Sequence, residues 1–180
     1  MKKALTQSRS VEKSQNHQSI DPGASIGHVH LKVSDLERSV KFYTEVLGFD
    51  ITTRYGDGAV FLSAGGYHHH IGLNTWESAG ASPPSAHSTG LYHFAILMQN
   101  RKELARALKR LTDHQWPLDG ASDHGVSEAL YLRDPDDNGI EIYSDRPHDQ
   151  WPRDSSGSIM MYTRPLDLDS LMAELEGNRN

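Results

Sequence analysis

The chain carries eleven histidines and no cysteine in 180 residues. Any metal site must therefore be built from imidazole and carboxylate, and disulfides, thiolate nucleophiles and iron–sulfur clusters are excluded. Three residues stand where such chemistry could be done: His28 in the stretch Ile26 to Val33, His93 in Tyr92 to Met98, and Glu141 in Gly139-Ile140-Glu141-Ile142-Tyr143. A carboxylate flanked by isoleucines is costly to bury unless it is paired or ligates a cation. Two histidines and one carboxylate match the facial set of non-haem Fe(II) oxygenases, which leaves open positions on one side of the ion. Each residue alone has a plainer reading, as a strand-edge histidine or as a glutamate on the wet face of an antiparallel sheet. Their shared place in a repeated frame is what raises them.

That frame is read from periodicity. Ile26 to Val33 alternate as a strand, with His28 and His30 on the face opposite Val29, Leu31 and Val33. Ser34-Asp35-Leu36-Glu37 offers a capped helix start; Leu36, Val40, Tyr43 and Leu47 recur at helical intervals, and Gly48 stops the helix. Strands are expected at Asp50–Arg54, Ala59–Ser63 and Tyr67–Asn74, with alternation in the last placing His68, His70, Gly72 and Asn74 on one face. After a Pro/Ser/Gly-rich stretch the grammar restarts. A strand at Tyr92–Met98 leads to a helix capped by Asn100 with Leu104, Leu108 and Leu111 on its buried stripe, then to strands at Glu128–Arg133 and Ile140–Ser144 around the Asp134–Gly139 turn. His28 precedes the capping Asp35 by seven residues, and His93 precedes Asn100 by seven. If the two modules are related by a pseudo-twofold axis, the two imidazoles converge.

The expected fold is α+β, two paired βαβββ modules forming a cupped mixed β-sheet around a metal site, since neither half buries much core alone. The boundaries fall at 1–24 for an N-terminal tail read as disordered, 25–80 for the first module, 81–88 for a linker, 89–147 for the second module and 148–180 for a C-terminal extension. The extension holds a short strand at Ile159–Tyr162 and a helix at Leu166–Glu176, to which no role is assigned.

IGHVHLKVSDLERSVKFYTEVLGF, then GLYHFAILM, then RDPDDNGIEIY resemble the pattern of the vicinal oxygen chelate (glyoxalase/bleomycin resistance/dioxygenase) superfamily over about residues 26–146. AGGYHHHIGLNTW and SDHGVSEALYLRDPDDNGIEIY look most like the catechol 2,3-dioxygenases, which are extradiol ring-cleaving enzymes. The resemblance implies metal ligation by His28, His93 and Glu141, an acid–base role for His70, a hydrogen bond from Tyr131 to a catecholate oxygen, and a donor role for His124. By default Tyr131 would be a packing aromatic and His124 an exposed loop residue. Fe(II) suits the ligand set, with Mn(II) as the alternative. The implied substrates are an aromatic diol and O2, and a homodimer is a family expectation. The departure is size, since those enzymes carry four modules and this chain two.

The runner-up is a glyoxalase-I-like lyase or isomerase, in which His70 would become a fourth ligand and Ni or Zn the metal. A non-catalytic binding or resistance protein of the same fold is third. The formal charge of −6 gives no basic footprint for nucleic acid or anionic membrane surfaces. The lack of a signal-like apolar segment or a membrane-length apolar run makes cytoplasm the expected location.

Overall fold

A computed structural model describes residues 19–85 and 87–176, so most of the expected N-terminal tail lies outside it. The first module runs β1 (Val29–Lys32), α1 (Leu36–Lys41), β2 (Asp50–Tyr55), β3 (Ala59–Ser63) and β4 (Ile71–Asn74). The second runs β5 (Phe94–Leu97), α2 (Arg101–Asp113), β6 (Gly120–Asp123), β7 (Ser127–Arg133) and β8 (Gly139–Asp145), followed by β9 (Arg164–Pro165) and α3 (Leu168–Ala173). No described helix is long and apolar enough to cross a membrane.

The helices begin where their side chains can satisfy the free amides of a first turn. Arg38 N–H donates to the Asp35 carboxylate and Glu103 N–H to the Asn100 side chain, both at 3.0 Å. The first helix does not run evenly to Gly48. Phe42–Val46 form a π-helical turn, with Leu47 N–H donating to Phe42 O. The Thr44 hydroxyl donates to the Val40 carbonyl at 2.9 Å, competing with the backbone for that acceptor. Gly48 then leaves the helix at φ +89°, a conformation costly for any side chain.

The strands form two mixed sheets of the same connectivity, β1-β4-β3-β2 and β5-β8-β7-β6-β9, each with its first strand parallel to its fourth. The fold is α+β with no closed barrel, and within one chain the sheets remain two. β1 and β5 are edge strands, each paired on one side only. Buried side chains of both modules make a single core: Leu31, Val40, Leu62 and Leu73 share it with Leu104, Leu108, Leu130 and Ile142. Polar contacts reinforce that junction. Tyr43 donates to Asp134 at 2.9 Å, and Asp136 accepts from Ser34, Ser39 and the Arg38 guanidinium. Arg110 donates to the carbonyls of Glu45 and Val46.

Two expectations shift. Residues 67–70 are not in a strand, because β4 begins at Ile71; the His70 amide and carbonyl still bridge Leu62 and Val29. The expected strand at Ile159–Tyr162 reduces to one bridge between Arg153 and Ile159, and the pairing that ties the extension down is β9 on β6. The terminal helix is shorter than expected, and Leu171 fixes it in the core.

Candidate functional site

Both first-strand histidines sit one residue before their strands, His28 ahead of Val29 and His93 ahead of Phe94. Glu141 lies in β8, in register with Ala95 of β5 on one side and with Tyr131 of β7 on the other. That register puts four of the expected residues in one line. His93 Nε2 is 3.0 Å from Glu141 Oε2, Tyr131 donates to Glu141 Oε1 at 3.0 Å, and His124 Nε2 is 2.7 Å from the Tyr131 hydroxyl.

The close approach of β5 to β8 depends on a residue whose role the sequence did not signal. A Cβ on Gly139 would stand 2.1 Å from the Tyr92 carbonyl oxygen and 3.1 Å from the His93 Cβ, so no side chain fits there. A second unforeseen contact comes from the extension. His124 Nδ1 lies 2.9 Å from the Tyr162 carbonyl, which can only accept, so the hydrogen belongs on Nδ1 and Nε2 is presented to Tyr131. Tyr131 then holds one proton between two acceptors, the imidazole and the carboxylate. Burial, followed by the hydrogen bond and the charge of Glu141, pushes the Tyr131 phenol far above its ordinary value, so it acts as a neutral donor. A main-chain carbonyl leaves no trace in residue type, which is why the extension had no assignable role.

His70 and His28 lie elsewhere. His28 is exposed, with its ring 4.4 Å from that of His69, and it lines a cavity of about 430 Å³ together with His70. His93, Tyr131 and His124 line a different cavity, walled by the second module and Thr163. His70 Nδ1 accepts from the Ala64 amide at 3.3 Å and lies 3.1 Å from the Ser63 hydroxyl, which leaves the hydrogen on Nε2. His68 and His69 crowd the same face, with Nδ1 atoms 2.7 Å apart. Burial and then the neighbouring imidazoles, His28 first, hold His69 below the ordinary histidine value.

These positions fit a metal ion only in part. Two donors 3.0 Å apart fit adjacent corners of one ion, since bonds of about 2.1 Å meeting near a right angle span about 3 Å. The third expected donor does not join them: among the described residues no three His, Asp or Glu lie close enough to hold an ion. The expected convergence of His28 on His93 is thus absent from the single chain, because the modules dock through their helices and the β7–β8 turn.

The chain is similar to several known proteins. The chain is 44% identical over 161 residues to the catechol-2,3-dioxygenase of Bacillus subtilis, covering 89% of this chain and 55% of that protein. It is 28% identical over 121 residues to the biphenyl-2,3-diol 1,2-dioxygenase 3 of Rhodococcus globerulus, covering 67% and 63%. The chain thus spans less than two thirds of the length of both. Among solved structures, a glyoxalase/dioxygenase from Nostoc punctiforme superposes with a TM-score of 0.58 at 20% identity, covering 73% of this chain and 99% of that one. The family model for the Glyoxalase/Bleomycin resistance protein/Dioxygenase superfamily matches residues 25–142, and the chain belongs to that superfamily.

Proposed function

We propose that the chain acts as a metal-dependent extradiol dioxygenase that cleaves a catechol-type aromatic diol with O2. The observation that carries this reading is the line His93, Glu141, Tyr131, His124, of which His93, Tyr131 and His124 wall one cavity. His93 and Glu141, with His28 as third donor, would hold a divalent ion; the all-imidazole and carboxylate set suits Fe(II), or Mn(II). When bound, such an ion supplies a chelating centre that acidifies both hydroxyls of a vicinal diol and leaves room for dioxygen. Tyr131, kept neutral, donates to a diolate oxygen, and His124 receives or returns its proton through Nε2. His70, its hydrogen on Nε2, is the complementary donor from the other module. A homodimer fits this use of two modules.

The lyase reading requires His70 as a ligand through a bare Nε2. The Ala64 amide on Nδ1 favours the opposite tautomer, so this reading stands second. The test is anaerobic reconstitution with Fe(II), addition of catechol and air, and a visible spectrum. A yellow ring-opened semialdehyde, lost in His93→Ala and Glu141→Ala, is expected. Stoichiometric metal without product would overturn the dioxygenase reading for simple catechols and move the lyase to first place, whereas absence of metal binding would favour a binding protein.

A further inference from the structure

We propose that Tyr162, in the C-terminal extension, is a positioning residue for the reaction: its main chain holds the His124 ring so that Nε2 stays bare toward Tyr131. The role rests on the dioxygenase reading of that pair, and it gives the extension a task in the chemistry as well as in folding.

The loop that carries His124 is fixed without the extension. His124 N–H donates to the Ser127 carbonyl and Gly125 N–H to the Asp123 carboxylate, both at 2.8 Å, and Arg146 pairs with that carboxylate at 3.1 Å. These bonds settle where the residue stands, not which way its imidazole faces. Rotation about the last side-chain torsion of histidine is broad and roughly two-fold, and half a turn would exchange ring nitrogen for ring carbon at Tyr131. Tyr162 removes that freedom. Its N–H donates to the His124 carbonyl at 3.3 Å, and its own carbonyl accepts from His124 Nδ1 at 2.9 Å.

The chain end does not need these contacts as an anchor. Leu171 is buried, and the Arg101 guanidinium bonds the Ser170 carbonyl and the Glu174 carboxylate. Tyr162 has a seat of its own. Gly125 stands at φ +80°, and a Cβ there would lie 2.6 Å from the Tyr162 ring and 2.9 Å from Pro152, so the missing side chain makes room for that ring. The Arg164 guanidinium stacks over the ring at 4.2 Å. Pairing of Asp123 with Arg164 and of Ser122 with Pro165 then fixes the chain just beyond it.

The chemical consequence is directional. A carbonyl behind Nδ1 keeps the hydrogen there, leaves Nε2 as the acceptor from Tyr131 and steadies the imidazolium once Nε2 has taken a proton. Thr163, whose hydroxyl lies 3.4 Å from the same nitrogen, does not dictate this, because a hydroxyl both donates and accepts. With the carbonyl weakened, the hydrogen is free to move to Nε2, and His124 then meets Tyr131 with a donor where proton transfer needs an acceptor.

The test weakens that carbonyl while keeping every side chain. Replacing Thr163 by its α-hydroxy acid counterpart turns the Tyr162 amide into an ester, whose carbonyl is a poorer acceptor. The first readout is the nitrogen NMR spectrum of the His124 imidazole in the metal-free protein, assigned with His124→Gln. Hydrogen on Nδ1 is expected in the wild type, with a shift toward Nε2 in the ester and in Tyr162→Ala, and a return to Nδ1 in Tyr162→Phe, which keeps ring and carbonyl. The second readout is turnover of catechol by the Fe(II)-loaded protein: the ester should lower kcat about tenfold, with KM and iron stoichiometry unchanged. Hydrogen on Nε2 in the wild type, or an ester whose spectrum or kcat is that of the wild type, would overturn the proposal, whatever Tyr162→Ala does to folding. A spectrum that responds as expected in a protein that cleaves no catechol would overturn the dioxygenase reading instead and leave the placement of the ring standing.

Discussion

On the second module, His93, Glu141, Tyr131 and His124 are joined by short contacts, and the extension holds the last of them from behind. On the first module, His28 is exposed beside another imidazole, and His70 is fixed by the Ser63–Ala64 corner. The connectivity of the two sheets is the same, so the difference does not come from topology. It comes from what each last strand brings: β8 carries a carboxylate in register with a tyrosine, while β4 carries Gly72 and Asn74 at the end of a histidine-rich turn. The main chain adds a further contrast. An N–H sets the His70 tautomer and a C=O sets that of His124, so one ring offers a hydrogen and the other a lone pair. A repeated fold can thus supply unlike partners for acid–base work from different positions of its two modules.

The sharpest way to break the comparison uses its two glycines. Gly139→Ala places a methyl on the Tyr92 carbonyl, which cannot move without moving β5; a loss of about 3 kcal/mol in denaturant unfolding is expected, with metal binding abolished. Next, Tyr131→Phe should lower turnover about 10²-fold with metal stoichiometry unchanged, as steady-state kinetics on the reconstituted protein would reveal. An equal loss of metal would mean that Tyr131 mainly orients Glu141.

The module junction gives a smaller effect with a defined sign. Burial raises Asp136, but hydrogen bonds from Ser34 and Ser39 and the Arg38 charge more than offset it and hold its carboxyl below the ordinary value. Its contribution is present above the ordinary carboxylate range, about pH 4, and is lost as pH falls through the depressed value. Asp136→Asn should cost about 2 kcal/mol at neutral pH and flatten the acid limb of stability against pH. Asp134, raised by burial, has the opposite sign and should not reproduce that limb. Smallest is Gly72→Ala, whose methyl would meet the His30 ring at 2.9 Å; because a side chain with ring contacts to Phe61 and Trp76 can yield more readily than the Tyr92 main chain, about 1 kcal/mol is expected, and a loss as large as that of Gly139→Ala would erase the contrast between the modules.

Much of the architecture was legible because it rests on local rules. Asp35 and Asn100 cap the helices as their residue types predict, and the matched spacing from each cap to its histidine reflects the shared module. Tyr131, His124, His93 and Glu141, each singled out in the sequence, lie in contact in the fold. Illegible features depend on partners distant in sequence. The Tyr162 carbonyl on His124 has no side-chain signature, and Gly139 reads as an ordinary turn glycine until Tyr92 is placed against it. Histidines 68–70 alternate on paper like a strand, yet they form the turn that feeds β4. Above all, the separation of His28 from His93 is set by how the modules dock, and periodicity within each module is silent about that.

The shared core bears on cooperativity. Leu31, Val40 and Leu73 are buried in the same cluster as Leu108, Leu130 and Ile142, and Leu171 of the extension closes it. Neither sheet has a private interior to retreat to, so the loss of one module removes the cover of the other. The chain should therefore unfold in one transition, with amides in β4 and β8 sharing a common opening free energy in hydrogen exchange despite belonging to separate sheets.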